Sequence, residues 1–78
     1  MSDKTAQMKQ EAQSIYTKLQ SSNPVEVKAA MGEYLKLVDR FYEENKYHLA
    51  PQQGATAKKD FEYFMRLIEL AVEYHKEG

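Results

Sequence analysis

The sequence predicts an all-α fold, a small up-down-up bundle of three helices that is expected to self-associate. Three segments repeat apolar residues every three or four positions, which is the spacing of one helix face. Stretches that contain proline or glycine separate these segments, at 21–24 and 48–60. Three helices with short connections typically pack as antiparallel neighbours. The helices are expected at about 3–20, 24–47 and 56–76, within a single domain that spans 1–78.

The first helix has Ser2 or Asp3 available as its N-cap. Its apolar stripe is only about 100° wide, the width of an ordinary surface helix. The stripe consists of Met8, Ala12, Ile15, Tyr16 and Leu19. We therefore expect this helix to pack on one side only.

The second helix carries the strongest start signal in the chain. Asn23 is the predicted N-cap and Pro24 takes the first helical position, where its missing N–H has no partner to lose. Glu26 is placed to fold back onto the cap in a capping box. An apolar arc of about 160° follows, and Gly32 falls on the polar side as a tolerated surface glycine. The arc comprises Val27, Ala30, Met31, Tyr34, Leu35, Leu37, Val38, Phe41 and Tyr42.

The third helix, expected to start near Thr56, has a wider apolar arc than packing in a small bundle requires. Its non-polar arc is about 220° wide, roughly twice the width of a surface helix stripe. The surplus consists of Tyr63, Leu67, Leu70 and Tyr74. On the polar side, Glu69 and Glu73 beside Arg66 predict ordinary ion pairing between neighbouring turns.

The surplus on the third helix has two interpretations. Either this helix is the central element and its whole arc is core, or the surplus meets another protein. Tyrosine is enriched at interfaces, and a chain of 78 residues buries too little surface to be very stable alone. We expect an interface, with a second copy of the chain or with a different protein, and Tyr63, Leu67, Leu70 and Tyr74 as its hot spots.

The stretch at 48–60 is expected to be a non-helical connector. Pro51 keeps the preceding residue out of the helical region, and Gly54 adds freedom. Lys58 and Lys59 lie in the first turn of the helix expected to start near Thr56, which makes them weak candidates for an anion site. A P-loop is excluded because no glycine stands directly before Lys59 and no hydroxyl residue directly after it.

Composition argues against several function classes. The net charge is −1 and no basic stripe is visible, so nucleic-acid binding is not expected. Cysteine is absent, and His48 and His75 lack the spacing of metal ligands, so no metal and no other cofactor are expected. No serine has the surroundings of a catalytic nucleophile, so no catalytic residue is predicted. No signal peptide or transmembrane segment is visible, and a cytoplasmic location is expected.

Together these features predict a non-enzymatic, small helical protein-binding module, such as an inhibitor, adaptor, chaperone or immunity-type regulator. The apolar and aromatic face of its C-terminal helix is the expected contact surface. The alternatives are a dimeric nucleic-acid-associated regulator and an accessory subunit of a larger assembly.

Overall fold

The computed structural model describes residues 3–47 and 49–77, with the side chains of all of these except 3, 51 and 75–77. The described residues form four α-helices: α1 (Asp3–Leu19), α2 (Pro24–Glu44), α3 (Pro51–Lys59) and α4 (Phe61–Glu77). The chain is therefore all-helical in its described part, as predicted. The prediction of three helices is wrong, because the segment expected to be a connector contains α3.

Helices α1 and α2 pack antiparallel. Three ion pairs follow their seam, in which the start of α1 meets the end of α2: Lys4–Glu44 at 3.6 Å, Glu11–Arg40 at 2.9 Å and Lys18–Glu33 at 3.4 Å. All six side chains are largely exposed, so each pair contributes at most about 1 kcal/mol. The pairs are consistent with the register of the two helices, and apolar burial supplies most of the stability.

The predicted start of α2 is confirmed, although Glu26 acts differently from the expectation. The Asn23 side chain accepts a hydrogen bond from the Val25 N–H at 3.0 Å, and Pro24 occupies the first turn. Glu26 does not reach the backbone of Asn23. Its carboxylate accepts from the Ser21 hydroxyl at 3.0 Å, and that hydroxyl accepts from the Asn23 N–H at 3.1 Å. The serine therefore relays the contact that a capping box makes directly.

Helix α2 ends at Glu44, earlier than the expected end near Tyr47. The next residue, Asn45, is completely buried and caps the helix with its backbone N–H and its side-chain amide. Its side-chain Nδ2 donates to the Phe41 carbonyl at 2.9 Å, and its backbone N–H donates to the same oxygen. A buried amide at this position satisfies carbonyl groups that the last turn leaves open.

Helix α3 starts at the proline that predicted a connector. Ala50 is extended, as the residue before a proline should be, and this is also the conformation of an N-cap. Pro51 then occupies the first helical position, which suits it for the same reason as in α2. The Gln53 side chain accepts from the Ala50 N–H at 2.7 Å and closes the turn.

A single residue, Asp60, joins α3 to α4. Its N–H donates to the Thr56 carbonyl and ends α3, while its carboxylate accepts from the Tyr63 N–H at 3.2 Å and caps α4. The C-terminal helix was expected to start near Thr56, and this is wrong, because it starts at Phe61 and Thr56 lies within α3. The Thr56 hydroxyl donates to the Gln52 carbonyl at 3.1 Å, inside α3.

The order of contacts along α2 gives the direction of the last two helices. A Cβ atom placed on Gly54 would lie 2.7 Å from the Tyr42 ring, and Ala57 accepts a hydrogen bond from Tyr34, so α3 runs antiparallel to α2. Helix α4 then runs in the same sense as α2. Phe61 lies against Tyr34, at 4.9 Å between ring centroids, and the next turn of α4 reaches Phe41.

The core is a single cluster drawn from all four helices. Aromatic rings form its centre, in mostly edge-to-face pairs, and Tyr16 of α1 stacks on Phe61 at its border, with 5.3 Å between ring centroids. The buried apolar residues are Met8, Ala12, Ile15, Ala30, Tyr34, Leu37, Val38, Phe41, Ala57, Phe64, Leu67, Ile68 and Ala71.

Candidate functional site on helix α4

The structure divides the predicted contact surface of the C-terminal helix into a buried and an exposed part. Leu67 is core, with 6% of its surface exposed, and Tyr63 is half-buried against the core. Leu70 and Tyr74 remain 60% and 58% exposed. The expectation that Leu67 lies on an accessible face is therefore wrong, whereas Leu70 and Tyr74 are accessible.

The angular positions around α4 explain this division. Leu67 and Leu70 lie about 60° apart around a helix of 3.6 residues per turn. Leu67 falls on the same side as Phe64 and Ala71, which point into the core, while Leu70 falls beyond its edge. We call Leu70 and Tyr74 the exposed apolar pair. They lie one turn apart and are neighbours on the helix surface.

A row of carboxylates lies beside the exposed apolar pair. It consists of Glu62, Glu69 and Glu73, all exposed, and we call it the acidic row. Among the described side chains, none of the three forms an ion pair, and Arg66 forms none either. The predicted pairing between turns of α4 is therefore wrong for these residues.

Acidic side chains elsewhere in the described part of the chain all have partners. Most of those in α1 and α2 form ion pairs across the helix seams or within a turn, such as Asp39 of α2 with Lys58 of α3 at 2.8 Å, and Glu26 accepts from the Ser21 hydroxyl. The partnered acidic residues are Glu11, Glu26, Glu33, Asp39, Glu43, Glu44 and Asp60. Among the described carboxylates, those without a partner all belong to the acidic row, which together with the exposed apolar pair forms what we call the outer face of α4.

The acidic row also borders a groove between α1 and α4. This groove has a volume of about 470 Å³. Its apolar part is formed by Tyr16, Phe61 and Met65, and its polar part includes Glu62 and Glu69. The acidic row therefore lies between two apolar features, the groove on one side and the exposed apolar pair on the other.

Lys58 and Lys59 do not lie at the start of a helix, as the anion-site hypothesis required. They lie in the last turn of α3, where a positive charge interacts favourably with the helix dipole. Lys58 is engaged with Asp39 across the contact between α3 and α2. The local structure gives these lysines a role in stabilising α3, and it removes the geometric reason for an anion site there.

The described residues offer little for other chemistry. They contain no group of three or more potential metal ligands. His48 lies outside the described residues, and so does the side chain of His75. Burial, together with the charge of Asp60, raises the pKa of Tyr34 to about 12. Its hydroxyl is used inside the core, where it donates to the Ala57 carbonyl. Within the same part of the chain, none of the helices has the length and apolarity needed to cross a bilayer.

Sequence reasoning did not single out the acidic row. The sequence does indicate this row, because Glu62, Glu69 and Glu73 lie on one helical face. Arg66 is the only basic residue between positions 62 and 73. What the spacing could not reveal is that Arg66 pairs with none of them. Comparison of the chain with protein families, curated proteins and solved structures finds no match. Its function must therefore be inferred from its own residues.

Proposed function

We propose that this protein is a non-enzymatic binding module that docks on another protein surface through the outer face of α4. The observation that carries the proposal is the exposure of Leu70 and Tyr74 next to a fully packed core. Apolar side chains grouped on one exposed face are typical of interaction sites. A tyrosine and a leucine together bring large apolar area with one polar tip, a combination favoured at interfaces.

The free energy that burial of this face would contribute is consistent with docking. Full burial of a leucine or an aromatic side chain stabilises by about 1.5–3 kcal/mol relative to its exposed state. Leu70 and Tyr74 each retain more than half of that surface. Tyr63, half-buried at the edge of the core, extends the apolar surface toward the start of α4. These residues would form the centre of the contact, with polar residues as its rim.

The occupant of this face is a second copy of the chain or a different protein. A role as an accessory subunit of a larger assembly falls within this proposal, since it uses the same contact. A nucleic-acid-associated regulator fits less well, because the acidic row would repel phosphates. The absence of a paired nucleophile and base in the sequence supports a role without catalysis.

Site-specific photo-crosslinking in the cells that produce the protein tests the proposal. A photoreactive amino acid replaces Tyr74 in one variant and Lys36, an exposed residue of α2, in the matched control. We expect a discrete protein adduct from position 74 and none of the same mass from position 36. The absence of an adduct at position 74, or the same adduct from both positions, contradicts the proposal.

A further inference from the structure

We infer that the partner contributes a basic amphipathic helix, whose apolar side packs on Leu70 and Tyr74 and whose lysines or arginines face Glu62, Glu69 and Glu73. This inference rests on the proposed function and names the chemistry of the occupant. Two independent features of α4 support it, the distribution of charge and the spacing of the apolar groups.

The charge on this face is unbalanced. Between positions 62 and 73, three carboxylates and one guanidinium give this helix a net charge of −2, although the whole chain carries only −1. Five of the remaining described acidic side chains are already in ion pairs within the fold, whereas Glu26 and Asp60 accept hydrogen bonds from uncharged donors. A basic partner would therefore find its complementary charges on α4, where the described side chains form no ion pair that has to be broken first. Complementary charge of this kind sets specificity and association rate more than affinity.

The same imbalance disfavours a second copy of the chain as the occupant. Two copies related by a two-fold axis present the same patch to each other. Their exposed apolar pairs would meet, and so would their acidic rows, each without an internal counter-ion among the described residues. Like charges brought together at an interface oppose association. A basic helix makes the apolar contact without this penalty.

The spacing of the face matches a helix as its ligand. Leu70 and Tyr74 are one turn apart, so apolar residues at i and i+4 of a partner helix can lie beside them. The acidic row extends from Glu62 to Glu73, about 16 Å at 1.5 Å per residue. A partner helix of about three turns with basic residues along one side covers this length.

The test uses a labelled synthetic helix of 18 residues, with leucines on one side and lysines on the other, and fluorescence anisotropy at low and moderate salt. One control peptide carries glutamate in place of every lysine, and another has the same composition in a non-amphipathic order. Peptide binding is measured on the full chain, on Leu70→Ala, and on the double variant Glu69→Gln/Glu73→Gln. The matched control is Glu11→Gln/Glu33→Gln, which makes the same change in net charge on the seam between α1 and α2.

We expect the basic amphipathic peptide alone to bind, and more weakly as salt is raised. Leu70→Ala should weaken binding at least about tenfold, as truncation of a central contact does. Glu69→Gln/Glu73→Gln should weaken it roughly tenfold, since each surface pair is worth up to about fivefold. Glu11→Gln/Glu33→Gln should change it less than about twofold, because these residues lie away from the site.

Three outcomes overturn the inference. They are equal binding of the acidic or reordered peptide, equal weakening by the two double variants, and a crosslinked adduct from position 74 that is a second copy of the chain. Each of these leaves the proposed function standing if position 74 gives an adduct. The absence of any adduct at that position removes both.

Discussion

The hydroxyl of Tyr34 donates a hydrogen bond to the carbonyl oxygen of Ala57, and this buried bond connects the short helix α3 to α2. Tyr34 is 2% exposed, and its ring also packs on Phe61 and Phe64 of α4. One side chain thus connects α2 to both helices that follow it. Both α3 and α4 therefore pack against this side chain.

Removal of the Tyr34 hydroxyl should destabilise the fold while the aromatic packing remains. Tyr34→Phe leaves the Ala57 carbonyl without its donor in a buried site, which costs about 1–3 kcal/mol of unfolding free energy. Urea denaturation followed by circular dichroism measures the loss. Tyr16→Phe is the control, because Tyr16 is 44% exposed, and it should stay within about 0.5 kcal/mol of the wild type. An equal effect of the two substitutions would show that the buried bond does not stabilise the fold.

The same tyrosine should make the fold sensitive to alkaline pH. Burial first, and the Asp60 carboxylate second, raise the pKa of Tyr34 to about 12, from an ordinary tyrosine pKa of about 10. The unfolded chain therefore loses this proton at lower pH than the folded chain does. The stabilising contribution is fully present below pH 10, and it is lost as the pH rises from about 10 through 12.

Denaturation midpoints measured from pH 8 to 12 test this dependence. The wild type should lose stability more steeply above pH 10 than Tyr34→Phe, in which the group is absent. Parallel curves for the two proteins across this range would contradict the assignment.

Substitution by alanine should have opposite effects on stability at the two helical glycines that the structure describes. A Cβ atom at Gly32 meets nothing within 4 Å, so Gly32→Ala should stabilise α2 by about 1 kcal/mol. A Cβ atom at Gly54 would lie 2.7 Å from the Tyr42 ring. Overpacking costs about 1–3 kcal/mol, so Gly54→Ala should lower the free energy of unfolding in spite of its better helix propensity.

A double-mutant cycle separates the two contributions at Gly54. In a Tyr42→Ala background the ring is absent, and Gly54→Ala should become stabilising. If Gly54→Ala destabilises both backgrounds equally, the close approach of α3 to the Tyr42 ring is not the cause.

Asp60 should be replaceable by asparagine and not by alanine. Its carboxylate caps α4 through the Tyr63 N–H, and asparagine is an equally good N-cap. Asp60→Ala should cost about 1 kcal/mol of unfolding free energy, and Asp60→Asn only a few tenths. Thermal unfolding of both variants measures the difference. Similar losses in the two would indicate that the charge of Asp60, rather than its cap, stabilises the junction.

Local signals in the sequence predicted some elements well. The start of α2 followed from Asn23 and Pro24 alone, since the N-cap hydrogen bond and the position of the proline depend only on neighbouring residues. The start of α3 carries a similar signal in Pro51. A proline favours both the first turn of a helix and a non-helical connector, so Pro51 alone did not decide between these two structures. Asp60, directly before the apolar run of α4, was an N-cap signal that the expected start at Thr56 obscured.

The composition of the candidate site was harder to predict, because it depends on neighbours in space. Leu67 and Leu70 belong to one apolar arc, and only the placement of the other helices around α4 buries the first and exposes the second. That placement includes α3, which the pattern of apolar residues did not reveal. The role of Gly54 was equally hard to predict, since its close neighbour Tyr42 lies on a different helix.

The most direct test compares Leu67→Asp with Leu70→Asp in the protein that carries the photoreactive residue at position 74. Helicity by circular dichroism and the yield of crosslinked partner are measured for both. A charge in the core should unfold the Leu67 variant, whereas the Leu70 variant should stay as helical as the wild type and lose its adduct. If Leu70→Asp unfolds the chain, or keeps both its helicity and its adduct, then the outer face of α4 is not the surface on which this protein docks.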